Sequence, residues 1–172
     1  MSNIAERKID EEMVRYFVWS VWNFFSTTSR VEPQVEAPYL LASFSHNDFT
    51  GVIGVSGSQQ GSVYITMSRA LLAELYQDHY AATLGAELGA SDEAELEDLL
   101  TDLAGEIANT ISGNVRNFLG ENFLISTPVV FQNSGTSLSL PPDCPGIVLP
   151  IRWESHTCHL IVGLKHNELL NL

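Results

Sequence analysis

The chain has 172 residues, 45% hydrophobic and 17% charged, enough to bury a sizeable core within one domain spanning 1–172. Eight basic against twenty-one acidic residues leave a net charge of −13, which argues against nucleic acid and anionic membrane surfaces as partners and favours partners with basic surface. Residues 1–12 are acidic and polar rather than a basic run leading into an apolar one, no apolar stretch is long enough for a membrane span, and Cys144 and Cys158 form no disulfide framework, so a cytoplasmic protein with free thiols is expected.

Residues 6–26 are predicted as a first helix, with Ile9, Met13, Phe17, Val21 and Phe24 on one face. Trp19 and Trp22 widen its apolar surface; packing on a sheet explains them, and so does a subunit contact, where aromatic residues are enriched. Ser26-Thr27-Thr28-Ser29 is expected to end the helix, and 30–38, with Pro33 and Pro38, to form a loop. Strands are predicted over 39–46 and 49–56, joined by a turn at Asn47-Asp48. The stretch Ser56–Gly61 carries two glycines but no following lysine, and strands flank it, so it is read as a hairpin turn and not as a phosphate loop. Gly61–Met67 is a third strand, and Ser68 caps a helix to about residue 80. Residues 82–90 form a Gly/Ala-rich link.

The stretch 91–120 carries the main signal. Ser91 offers a cap, and Asp92 and Glu93 suit the positive end of a helix dipole. Leu96, Leu99, Leu100, Leu103, Ile107, Ile111, Val115 and Phe118 recur with the period of a long amphipathic helix, and Gly120 is a stop. At roughly 100° per residue, Asp98, Asp102, Glu106, Asn109 and Gly113 fall in one narrow strip, which the apolar stripe leaves facing water. Gly105 and Gly113 are read as part of the same exposed surface. Each glycine costs a helix about 1 kcal/mol against alanine, so the pair suggests that something approaches the helix closely. A solvated face with tolerated glycines fits the same pattern.

A strand near Ile125–Gln132, interrupted by Pro128, comes next. Residues 133–145 read as irregular, and two closing strands, about 146–153 and 157–165, meet around Glu154-Ser155. The order is one helix, three strands, two helices, then three strands. That predicts an α+β fold of two layers, with long helices packed on a mostly antiparallel sheet.

Asp102-x-x-x-Glu106-x-x-Asn109 matches the D/S-x-x-x-E-x-x-N pattern of the CheC/CheX/FliY family of response-regulator phosphatases. The surrounding GEIANTISGN, residues 105–114, is similar to the CheX version of that helix. The segment ISTPVV, residues 125–130, resembles the T-P-x-V-V strand that follows it, and GSVYI, residues 61–65, resembles the strand leading into the preceding helix. The likeness covers roughly 50–165, while the helix and loop of 1–38 match less well. The chain carries no second copy of the pattern: the helix at 68–80 offers Glu74 with Gln77, but Ala70 where Asp or Ser belongs.

The resemblance implies a CheX-like fold, a homodimer that joins sheets, and hydrolysis of the aspartyl phosphate on a CheY-like response regulator. Asn109 would orient the attacking water, and Glu106 would dock a lysine of the partner. Asp102 would either set the geometry of the helix or contact the partner's rim, and Gly105 and Gly113 are assigned to the surface that meets the partner. Mg²⁺ would be held by the regulator, so the chain needs no cofactor of its own. A non-catalytic dimeric module that binds a receiver domain is the alternative, and a structural part of a chemotaxis or motor assembly is a third. His156, Cys158 and His159 cluster in the sequence, but strand alternation sends His159 to the opposite face, which leaves too few converging ligands for zinc. No G-x-S-x-G elbow supports a serine hydrolase.

Overall fold

The computed structural model describes residues 10–45, 47–80, 92–132, 137–141, 143–144 and 146–171. Helix α1 spans Glu11–Ser29, with Asp10 as its cap. It runs past the expected stop, with the hydroxyls of Thr27 and Ser29 satisfied inside the helix by donating back to Asn23 O and Phe25 O, each at 2.6 Å. Arg30, at φ 57°, ends it. Short strands β1 (Gln34–Val35), β2 (Tyr39–Leu41) and β3 (Ser43–Ser45) follow. The strand expected over 39–46 is thus split at Ala42. The long hairpin β4 (Phe49–Gly57) and β5 (Gln59–Met67) turns on Ser58 alone, so β5 starts two residues before the expected Gly61. Gly57, at φ 90°, makes that tight turn possible.

Ser68 caps α2 (Arg69–Leu75), its hydroxyl accepting from Leu71 N at 3.1 Å, and a π-helical turn continues the chain over Tyr76–Tyr80. The expected link at 82–90 and the Ser91 cap lie outside the described residues. Helix α3 spans Glu93–Leu119, and Asp92 supplies a capping carboxylate to Ala94 N at 3.0 Å. Then come β6 (Phe123–Ile125), β7 (Val129–Gln132), β8 (Ser137–Ser139), β9 (Gly146–Trp153) and β10 (His156–His166). Strand β8 falls inside the stretch expected to be irregular.

Eight strands form one antiparallel sheet in the order β1-β9-β10-β5-β4-β6, with β2 also on β9 and β7 also on β4. The α+β, two-layer, mostly antiparallel arrangement expected from the sequence is present. Helices α1, α2 and the long helix Glu93–Leu119 pack on one face. There Phe49, Ile53, Val63, Ile65, Leu149, Ile151, Leu160 and Val162 alternate inward along their strands and meet Phe17, Val21, Phe25, Leu71, Leu100, Ile107 and Ile111 from the helices. Trp153 anchors α1: its indole N–H donates to Ser29 Oγ at 2.8 Å, and its ring lies 5.8 Å from that of Phe25. On the opposite face β3 and β8 pair into a small two-stranded sheet that covers a second cluster of Phe44, Leu140, Val148 and Ile161.

The seat of α3 decides where the site lies. The helix turns small residues, Ala104 and Ala108, toward β4, and Gly51 meets them. A Cβ on Gly51 would stand 2.8 Å from Ala104 O and 2.9 Å from Ala108 Cβ. The helix therefore lies directly on the backbone of β4, and the face away from the sheet is left to water.

Candidate functional site

The outward face of α3 carries exposed Asp98, Asp102, Glu106 and Asn109, in the alignment that their 4-4-3 spacing dictates. Asp102, Glu106 and Asn109, the three members of the motif, stand within two turns of one another. A carboxylate and a carboxamide three residues apart can reach the same partner group. The first accepts hydrogen bonds and attracts a cation. The second donates and accepts without adding charge.

Both ends of the helix are tied down. At its start Arg69 of α2 bonds the carboxylates of Glu93, at 2.5 Å, and Glu97. Toward its end the Ser20 hydroxyl of α1 donates to Ile111 O at 2.6 Å, and Phe118 stacks on Tyr16 at 4.8 Å. The strip therefore stands on a helix held by α1, α2 and β4, not on a loop.

Gly105 departs from the expectation. It is buried, not exposed, and what approaches it is the chain's own strand β7 with the proline just before it. A Cβ on Gly105 would lie 3.4 Å from Val130 Cγ2 and 3.5 Å from Pro128 Cγ. Gly113 is half-buried, 4.0 Å by the same measure from Ile125 Cδ1. The glycines let α3 lie close to its neighbouring strand, which walls one side of the strip. Gly105 is accordingly not a surface for an incoming partner. The sequence signalled a close approach but not its source. Sequence reasoning missed this wall; its single hint is that ISTPVV and the motif helix both belong to the resemblance.

The other chemistry-bearing residues scatter. Cys158 is fully buried on the helix side of β10, and burial pushes its thiol up to about 12. His156 Nε2 lies 2.5 Å from Glu74 Oε2 on α2. His159 points to the opposite face of the sheet, into a groove of about 280 Å³ under β3 that Thr66 and Tyr39 also line, and burial lowers its pKa. Among the described residues no three His, Cys, Asp or Glu converge to hold a metal ion, and no described helix is long and apolar enough to cross a membrane.

Comparison with known proteins places this geometry in context. The family described as "Chemotaxis phosphatase CheX" matches residues 49–152, more than half of the chain and the whole of the motif helix. No curated protein matches. Among solved structures, a CheC-like superfamily protein from Shewanella sp. PV-4 is similar at 25% identity and a TM-score of 0.74, covering 91% of this chain and 99% of its own. Chemotaxis protein CheX from Vibrio vulnificus is similar at 25% identity and a TM-score of 0.72, covering 90% and 99%. The CheX of Borrelia burgdorferi, solved in a complex with CheY, BeF3 and Mg²⁺, shares the fold at 18% identity and a TM-score of 0.69, covering 92% and 100%.

Proposed function

The chain belongs to the CheX family of chemotaxis phosphatases, and from that premise we propose that it hydrolyses the aspartyl phosphate of a CheY-like response regulator, with Asn109 and Glu106 as the working residues. The observation that carries this reading is the exposure of Asp102, Glu106 and Asn109 in one file on α3, inside the matched region. The Borrelia relative captured with CheY supports the partner class.

The chemistry asks little covalent work of this chain. A water oxygen attacks phosphorus, the P–O bond to the aspartate carboxylate breaks, and free carboxylate and inorganic phosphate result. Such transfers depend mainly on positioning and charge stabilisation. The Asn109 carboxamide accepts a hydrogen bond from the water and donates one toward the phosphoryl oxygens without repelling them. Glu106 would be repelled by those oxygens if it approached them. It pairs instead with a lysine beside the phosphorylation site and sets the angle at which the partner docks. Asp102 lies one turn before Glu106, toward the rim, and steers basic surface toward the strip. Gly113 leaves room beside Asn109. Mg²⁺ is the regulator's own.

We extend the proposal to a homodimer in the cytoplasm. Val129 and Phe131, 55% and 45% exposed, lie on β7 at the outer edge of the sheet, a surface that a second copy can cover. Light scattering of the wild type against Phe131→Lys tests it: a monomer in both sinks the pairing.

The decisive experiment phosphorylates candidate regulators with a small phosphodonor and Mg²⁺ and follows phosphate release with and without this chain. Acceleration for one regulator, absent with Asn109→Ala, is the expected result. Binding without acceleration for any regulator would move the assignment to a non-catalytic receiver-binding module.

A further inference from the structure

Strand β7 meets α3 at two points. Gln132 Nε2 donates to Thr101 Oγ1, and that hydroxyl donates onward to Glu97 O at 2.7 Å. One turn further along α3, Val130 and Pro128 close over Gly105, 3.4 and 3.5 Å from where its Cβ would stand. Thr101 and Gly105 stand four residues apart, so the two contacts form a line along the helix about 6 Å long. Each is followed at once by a motif residue: Asp102 after Thr101, Glu106 after Gly105. The line of contact therefore runs beside the strip, about 100° around the helix. Both contacts lie off the helix axis, so each opposes rolling of the helix, and the pair, one turn apart, opposes its tilt as well.

We infer that Gln132 is a positioning residue for the proposed hydrolysis: with Val130 and Pro128 it fixes the roll of α3 and hence the aim of Asn109. The inference rests on the phosphatase reading. The tip of a side chain stands about 5–6 Å from the helix axis, so a roll of about 10° moves it by about 1 Å. A misplacement of that size at a reacting centre can cost about a hundredfold in rate. The pairing of Glu106 with a cation falls off only gradually with distance, so docking tolerates the same roll. The clamp thus acts on turnover more than on affinity. Gln132 is exposed, so its hydrogen bond adds little to stability and its loss leaves the fold in place.

Steady-state phosphate release from the cognate regulator tests this with Gln132→Ala, Thr101→Val and the double variant. Each single variant is expected to lower kcat about fivefold while KM stays within about twofold. The double variant should be no slower than the singles, because both remove one interaction. Thr101→Ser, which keeps the hydroxyl, should restore kcat. In parallel, amide hydrogen exchange over residues 101–109 should quicken in Gln132→Ala with an unchanged melting temperature. Wild-type kcat in Gln132→Ala, a loss confined to KM, or unchanged exchange would each overturn the inference. A wild-type chain that accelerates no regulator sinks the phosphatase reading instead, and the exchange comparison then decides the clamp by itself.

Discussion

One face of α3 lies on β4 and is built from Ala104 and Ala108 against Gly51; the face turned away presents Asp102, Glu106 and Asn109 to water. The two faces share 27 residues of one helix and answer to different physics. On the seat, distances are set by hard contact, and a single added methyl has nowhere to go. On the strip, side chains have room, and their identity serves a partner rather than the fold. Substitutions on the seat should therefore move stability first, and substitutions on the strip should move activity alone. A substitution that crosses this division breaks the comparison.

The strip should give the largest effect. Asn109→Ala is expected to lower stimulated phosphate release at least about a hundredfold, the range seen when a single preorganised hydrogen-bonding group is removed from a reaction site. Its melting temperature should match the wild type, because the side chain is exposed. A large fall in melting temperature would show that the residue also serves the fold, and the division would fail there. On the seat, Gly51→Ala drives its Cβ into backbone and a helix methyl. It should cost about 2 kcal/mol in urea unfolding, the usual scale of overpacking. Unchanged stability would mean that α3 can lift off β4 at no cost, and the rigid seat would be wrong. Glu106→Ala should lower kcat/KM about tenfold through both affinity and rate, since losing one charged contact at a docking surface has about that weight. Measured partner affinity at the wild-type level would remove Glu106 from docking.

The strip is legible from sequence because it depends on one number, the pitch of an α-helix, applied to residues in one continuous run. The inward stripe of α3 and the alternation of β4, β5 and β10 are legible for the same reason. What the sequence leaves open is everything that depends on which distant segment comes to lie beside which. The pairing of Ser43–Ser45 with Ser137–Ser139 joins two three-residue pieces far apart in the chain: the first falls inside the strand expected over 39–46, but the second is too short to announce itself, and nothing local says that the two meet. The wall of Pro128 and Val130 over Gly105 is equally non-local. Ser26–Ser29 has the composition of a stop, yet the hydroxyls of Thr27 and Ser29 bond back into the helix instead of breaking it.

Gly105 gives the smallest effect and the finest test, because it sits where the two faces meet. A partner-facing glycine would be required by whatever docks there. A glycine under Pro128 and Val130 is required only if a methyl cannot fit. The distances of 3.4, 3.5 and 3.6 Å from an added methyl to these two side chains are ordinary contact, unlike the 2.8 Å at Gly51. The methyl would fill space beside apolar carbon, and the helix would lose one of its two glycines. Gly105→Ala is therefore expected to raise stability, by about 0.5 kcal/mol, through the smaller entropy of the unfolded chain. Urea unfolding of the two proteins side by side measures it. A loss of more than about 1 kcal/mol would mean that β7 holds α3 more tightly than these contacts indicate, with overpacking outweighing the entropic gain.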